Sequence, residues 1–145
     1  MRPSRKADYA LRAALDLALH GASGQLIRTS EIARRTGAPP KFLEAIVGEL
    51  RRAGLVDARR GAEGGLRLSR AVGRITAGQV WRAIDGPLVA SDLPVRRRPN
   101  DGASRAVQAL WAKVDRAVEK EVDTVSLEDL ARRAQEASNV PDFSI

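Results

Sequence analysis

The 145-residue chain contains no cysteine. That absence removes disulfides, a thiolate nucleophile and any cysteine-ligated zinc or iron–sulfur site. A single histidine, His20, puts a multi-histidine metal site out of reach as well. Aromatic residues number only five, too few to anchor a basic amphipathic helix on a membrane surface. No apolar run approaches the roughly 20 residues of a membrane span. The first ten residues are polar and basic, without the apolar stretch of a secretory signal. The expectation is a soluble cytoplasmic protein with no membrane contact, no metal and no cofactor. No combination of side chains forms a catalytic set, so an enzyme is not expected.

What the chain does have is positive charge, unevenly placed. The formal net charge is +7. Residues 1–74 carry 15 Lys and Arg against 7 Asp and Glu, whereas residues 75–145 carry 10 against 11. A basic half of this kind suits a polyanionic partner, although a solvated basic surface has the same composition.

Hydrophobic periodicity then orders the chain. Ala7, Leu11, Ala14, Leu15 and Ala18 follow helical spacing over residues 4–20, with Gly21 as a stop. Thr29 or Ser30 caps a short second helix, with Glu31 near its positive end, and Gly37 ends it. Pro39 and Pro40 open a third helix, where a missing N–H costs nothing. Its stripe is Leu43, Ile46, Val47 and Leu50, closed by Gly54. A short helix, a tight turn and a longer helix in series read as a helix-turn-helix. The period changes after Gly54. Leu55 and Val56 begin a strand, residues 59–65 are turn material, and Leu66, Arg67 and Leu68 return. Thr76 and Gln79 pair as a capping box before a helix carrying Val80, Trp81 and Ile84, which Asp85, Gly86 and Pro87 terminate. After a Pro- and Arg-rich stretch, a long helix from Ser104 to about Thr124 presents Val107, Leu110, Trp111, Val114, Val118 and Val122 on one face. Ser126 and Asp129 cap a last helix.

The fold class expected is mainly α with a small β-hairpin wing: a winged helix-turn-helix domain plus a long C-terminal dimerisation helix. The divisions are 1–86 for the DNA-binding domain, 87–103 for a loop, 104–138 for the dimerisation and short C-terminal helices, and 139–145 for a tail. A recognition helix presents its N-terminal side chains to base edges in the major groove, here Lys41, Phe42, Glu44 and Ala45. Glu44 can accept from a cytosine amino group, and Phe42 either touches a thymine methyl or packs in the core. Arg59, Arg60, Gly61 and Arg67 belong to the basic, glycine-rich hairpin, whose tip can approach a minor groove or phosphates. Thr29, Ser30 and Arg51 complete the candidate DNA contacts. The hairpin glycines are not a nucleotide-binding loop, because they lie between strands and lack the Gly-Lys-Ser/Thr ending. The apolar stripe of the long helix can pack inside the chain or against a second copy of it, and the small size of the preceding domain favours the second copy. His20 reads as a helix-end residue interacting with the last carbonyls. A winged helix serving protein interaction or RNA binding is the alternative; salt dependence and duplex competition separate these.

In order and spacing, several segments together resemble the Rrf2 family of bacterial transcription regulators. They are residues 6–13 (KADYALRA), 31–33 (EIA), 42–44 (FLE), 50–56 (LRRAGLV), Arg60-Gly61 through Gly64-Gly65, Ile75-Thr76, 84–88 (IDGPL) and 126–130 (SLEDL). The resemblance implies a homodimeric repressor on a pseudo-palindromic double-stranded DNA operator. The long helix would cross to the partner, and Glu44 and Arg60 would contact bases. It also implies, for many members, an iron–sulfur cluster on three cysteines in the loop before the long helix, with some adding an acidic residue near the N-terminus. Asp8 matches that acidic position, but loop 87–103 has no cysteine, so a cluster-free member is expected, with Asp8 paired to an arginine or capping backbone. Any effector, a small molecule or a partner protein, is expected between residues 80 and 111, around Trp81, the Arg96–Arg98 loop and Trp111; the two tryptophans read equally as core.

Overall fold

The computed structural model describes residues 2–21, 23–88 and 101–139. Most of the Pro- and Arg-rich loop, with Arg96–Arg98, and the tail from residue 140 lie outside the described residues. The elements are α1 (Arg5–His20), α2 (Thr29–Thr36), α3 (Pro40–Arg52), strands β1 (Val56–Arg59) and β2 (Gly65–Leu68), a 3-10 turn at Val72–Arg74, α4 (Ala77–Asp85), α5 (Gly102–Asp123) and α6 (Leu127–Ser138). The chain is mainly helical with one antiparallel hairpin, a winged helix-turn-helix.

Helix α1 is the hub, packing against α2, α3, α4 and α6. Its N-cap is Ser4, whose hydroxyl accepts from the Ala7 N–H at 3.0 Å. The buried apolar set is Ala7, Ala10, Ala13, Ala14, Leu17 and Ala18, not the single stripe expected. Leu11 and Leu15 are only half-buried at the margin. A helix enclosed on several sides puts its smallest residues where neighbours approach most closely, and its leucines fill the edges. Ile32, Leu43, Ile46, Ile75, Val80 and Leu127 complete the buried centre.

Helix α2 ends on Gly37, whose φ of 72° places it in the left-handed region, where a side chain would be strained. The chain then turns through Pro39 into α3, which carries proline in its first turn as expected. The expected cap of α2 is not observed. Arg28 occupies the N-cap with no side-chain cap bond, and Thr29 and Ser30 lie inside the exposed first turn. The reason is a pairing distant in sequence: Ile27 is drawn into a bridge with Leu66 by backbone bonds of 2.8 and 2.7 Å. That bridge keeps the chain extended through Arg28.

The hairpin pairs Val56 with Leu68 through Arg59 with Gly65. A Cβ on Gly65 would lie 2.6 Å from the Ile27 carbonyl oxygen, so only glycine admits the third segment. Both expected capping boxes are present, Thr76 with Gln79 and Ser126 with Asp129. Leu127 of α6 lies in the same buried cluster as Ala10, Ile46 and Val80. Backbone bonds from Ala77 to Val125 and from Leu127 to Ile75, both 2.8 Å, tie α6 to the start of α4. The 22 residues of α5 span about 33 Å. None is fully buried, and Val107, Leu110 and Trp111 are 49, 53 and 56 % exposed.

Candidate nucleic-acid interface

Three ion pairs brace the helices, two setting α2 and α3 on α1 and one tying α5 to α4. Asp16, buried in α1, receives Arg35 Nε at 2.8 Å and Nη2 at 3.0 Å, holding α2 in place. The Asp16 hydrogen bonds, reinforced by Glu31 at 3.1 Å, raise the Arg35 pKa against a smaller opposing effect of burial. Lys6 Nζ meets Glu49 at 2.6 Å and pins α3 to α1. Arg82 on α4 grips Asp123 at the end of α5 through bonds of 2.6 and 2.8 Å. Those hydrogen bonds hold the Asp123 carboxyl below its usual range, with burial opposing. His20, expected against the last carbonyls, has Nε2 3.7 Å from Asp16 Oδ1, beyond hydrogen-bond distance.

On this frame Lys41, Phe42, Glu44 and Ala45 are all exposed along the first turns of α3. Phe42, 37 % exposed, is not core. Its ring lies tilted against Tyr9, with centroids 6.1 Å apart. Glu44 edges a groove of about 500 Å³ whose other walls are Thr29, Ser30, Ala33, Pro40, Leu43 and Val47. A second groove of about 450 Å³ runs between the helices and the wing, and Thr29, Ser30 and Val47 line both. Arg51, Arg59, Arg60 and Gly61 line the second, together with Arg28, and among the described residues no carboxylate does. Thr29, Ser30, Glu44, Arg51, Arg59, Arg60 and Gly61 therefore share one continuous surface, with Lys41 and Phe42 on the same helix.

Arg67 stands apart. It pairs with its cross-strand neighbour Asp57 at 3.6 Å and does not line the groove. Two residues that sequence reasoning passed over belong to the arrangement. Arg28 donates through Nη2 to the Ala62 carbonyl at 2.7 Å; nothing local marks it. Asp16 had a readable signal, a lone acid inside the apolar run Ala13-Ala14-Leu15-Asp16-Leu17-Ala18-Leu19, since a buried charge needs a partner.

A concave surface with four arginines and no acid attracts phosphate, and a carboxylate at the N-terminal end of the neighbouring helix matches a cytosine amino group. The Rrf2 profile, described as an iron-dependent transcriptional regulator, matches residues 3–133. The chain belongs to the Rrf2 family. An HTH-type transcriptional regulator homologue of Mycobacterium tuberculosis strain H37Rv is 37 % identical over 132 residues, covering 90 % of this chain and 81 % of that protein. The structure of CymR, the global cysteine regulator of B. subtilis, superposes with a TM-score of 0.76 at 33 % identity over 92 % of this chain and 98 % of that one. T. potens IscR gives 0.78 at 30 % identity over 99 and 95 %. This Rrf2-family chain is a DNA-binding transcriptional regulator of the helix-turn-helix type. Among the described residues, no helix is long and apolar enough to cross a membrane.

The iron in the family's description does not fit this chain's donors. With no cysteine and one histidine, only hard oxygen ligands and a single imidazole remain, which do not assemble a thiolate-held cluster. Among the described residues no three His, Asp or Glu side chains gather as a metal site. Asp8 accepts from Arg12 Nε at 2.8 Å, the arginine pairing expected for it.

Proposed function

We propose that the chain is a sequence-specific repressor that binds a pseudo-palindromic operator as a homodimer in the cytoplasm. Residues 1–86, braced by α6, form the DNA-binding unit, and residues 104–138 carry dimerisation. Helix α3 enters the major groove, where Glu44 accepts from a cytosine amino group and Lys41 and Phe42 flank it. Thr29 and Ser30 sit over the backbone at the start of α2. Arg51, Arg59 and Gly61 engage phosphates along the groove, and Arg60 at the wing contacts a base. Arg67, held by Asp57, contributes its charge at longer range. The stripe Val107, Leu110, Trp111, Val114, Val118 and Val122 packs on its copy in a second chain. An effector, a small molecule or protein, acts between residues 80 and 111.

The observation that carries this reading is the continuity of Glu44's groove with the acid-free arginine groove. Glu44 beside four arginines supports a base-reading carboxylate next to a phosphate-binding wall. The test is base substitution across a selected operator. Glu44→Ala relaxes preference at one position per half-site, with non-specific affinity equal or higher because a negative charge is lost. Arg60→Ala weakens binding by about 1–3 kcal/mol. Two variants that bind every duplex as the parent does would remove the assignment.

A further inference from the structure

The wing needs something to hold its tip. Strand pairing ends at Arg59 with Gly65, and the backbone bridge to Ile27 reaches only Leu66. Between them the loop turns on Gly61, with a bond from the Gly64 N–H to the Gly61 carbonyl at 2.9 Å. Arg59, Arg60, Arg51 and Arg28 line one groove there, and like charges so placed push a small loop outward. Arg28 directly follows the bridge residue Ile27 and is extended like a strand. Its guanidinium donates to the Ala62 carbonyl at 2.7 Å, across 34 positions of sequence.

We propose that Arg28 is the positioning residue of the wing. Two successive residues then clamp the hairpin to the helix-turn-helix, Ile27 through backbone and Arg28 through its side chain. The second clamp acts two residues beyond Arg60. It fixes the tip before DNA arrives, so the loop's ordering cost is met in the unbound protein rather than at binding. The bond occupies one donor of the Arg28 guanidinium and leaves its charge in the groove beside Arg51, Arg59 and Arg60. The role of Arg28 in DNA binding rests on the wing reading above. Its role in the free protein does not.

The test therefore has two arms. In the free protein, backbone relaxation is compared for the parent, Arg28→Met and Arg28→Lys. Arg28→Met keeps length but removes charge and donor; Arg28→Lys keeps a charged donor. In Arg28→Met the order parameters at Ala62, Glu63 and Gly64 fall from roughly 0.8 to below about 0.6, with Val56–Ala58 and Leu66–Leu68 unchanged, and Arg28→Lys restores at least half the loss. A tip as rigid in Arg28→Met as in the parent overturns the proposal. In the second arm, selected operator is titrated with Arg28→Met, Arg60→Ala and the double variant. Arg28→Met weakens binding by about 3- to 10-fold in the parent background and by less than about 2-fold once Arg60 is gone, non-additivity being the mark of residues acting through one another. A salt slope reduced by about one with the tip unmoved would assign Arg28 to a phosphate and overturn the proposal. If Arg60→Ala itself has no effect on the operator, the wing reading fails, while the relaxation arm still decides Arg28.

Discussion

Removing Arg35 will destabilise this protein more than removing Asp16, although Arg35 is the more exposed partner. The Asp16 side chain is 7 % exposed and Arg35 22 %, and both carboxylate oxygens are taken by the guanidinium at 2.8 and 3.0 Å. Arg35→Leu leaves a buried carboxylate with, among the described residues, His20 as its remaining basic neighbour, at 3.7 Å. Stranding one member of such a pair costs about 3–5 kcal/mol. Asp16→Ala leaves an arginine that keeps Glu31 at 3.1 Å and reaches water. Its cost is about 1.5–3 kcal/mol, the worth of a charge-assisted bond. At about 2–4 °C per kcal/mol for a chain near this size, the midpoints drop by roughly 6–20 °C and 3–12 °C. Thermal and urea unfolding of both single variants and the double variant measure this. In the Asp16→Ala background, Arg35→Leu should cost less than about 1 kcal/mol, because no buried charge remains to strand. Equal losses for the two single variants, or full additivity, would refute the reasoning.

Three further outcomes follow from the same structure. Val114→Glu or Val118→Glu puts a charge into the proposed dimer seam, a change of several kcal/mol if it is buried without a partner; sedimentation should show a dimeric parent and monomeric variants that bind operator poorly, and a parent monomeric at high concentration refutes the seam. The Asp123 carboxyl is held low by Arg82. The Asp85 carboxyl is also lowered: burial opposes this, but the Ser4 side-chain and backbone bonds and the Trp81 indole outweigh it. Groups lowered on folding contribute stability above the unfolded carboxylate range that disappears as pH falls through their folded values. Unfolding should therefore become easier below about pH 4, with Asp123→Asn flattening that fall and an unchanged acid profile counting against the Arg82 clamp. Anaerobically purified protein should contain neither stoichiometric iron nor acid-labile sulfide, and DNA binding should survive peroxide, nitric oxide and chelators; visible-range absorption with bound iron would overturn this.

Much of the fold was legible because its signals are local. Gly37, Pro39 and Pro40 punctuate the helix-turn-helix, Thr76–Gln79 and Ser126–Asp129 announce their helices within four residues, and the glycines at 61, 64 and 65 mark the wing. Glu44, Arg59 and Arg60 could be placed because a recognition helix and a wing tip occupy fixed positions along such a chain. What stayed hidden was long-range. The start of α2 is decided by a bridge from Ile27 to Leu66, which displaces the cap that Thr29 and Ser30 suggest. The buried face of α1 is decided by how many neighbours enclose it, a property of packing that helical spacing does not encode. Arg28, Arg67 and Leu127 find their partners 34, 10 and about 50 positions away. Only the assembled fold tells the arginine that holds the wing from the one spent on Asp57.

The account's central claim, that the groove between α3 and the wing binds DNA by sequence, is tested most directly by one titration. Duplexes selected by the protein from a random pool are measured beside scrambled duplexes from 50 to 200 mM salt. With roughly 6–10 phosphates engaged, affinity should fall about 10³–10⁵-fold across that range. The selected sequence should remain at least about 10³-fold tighter than the scrambled one. A flat salt response, or equal binding of selected and scrambled duplexes, would contradict the claim.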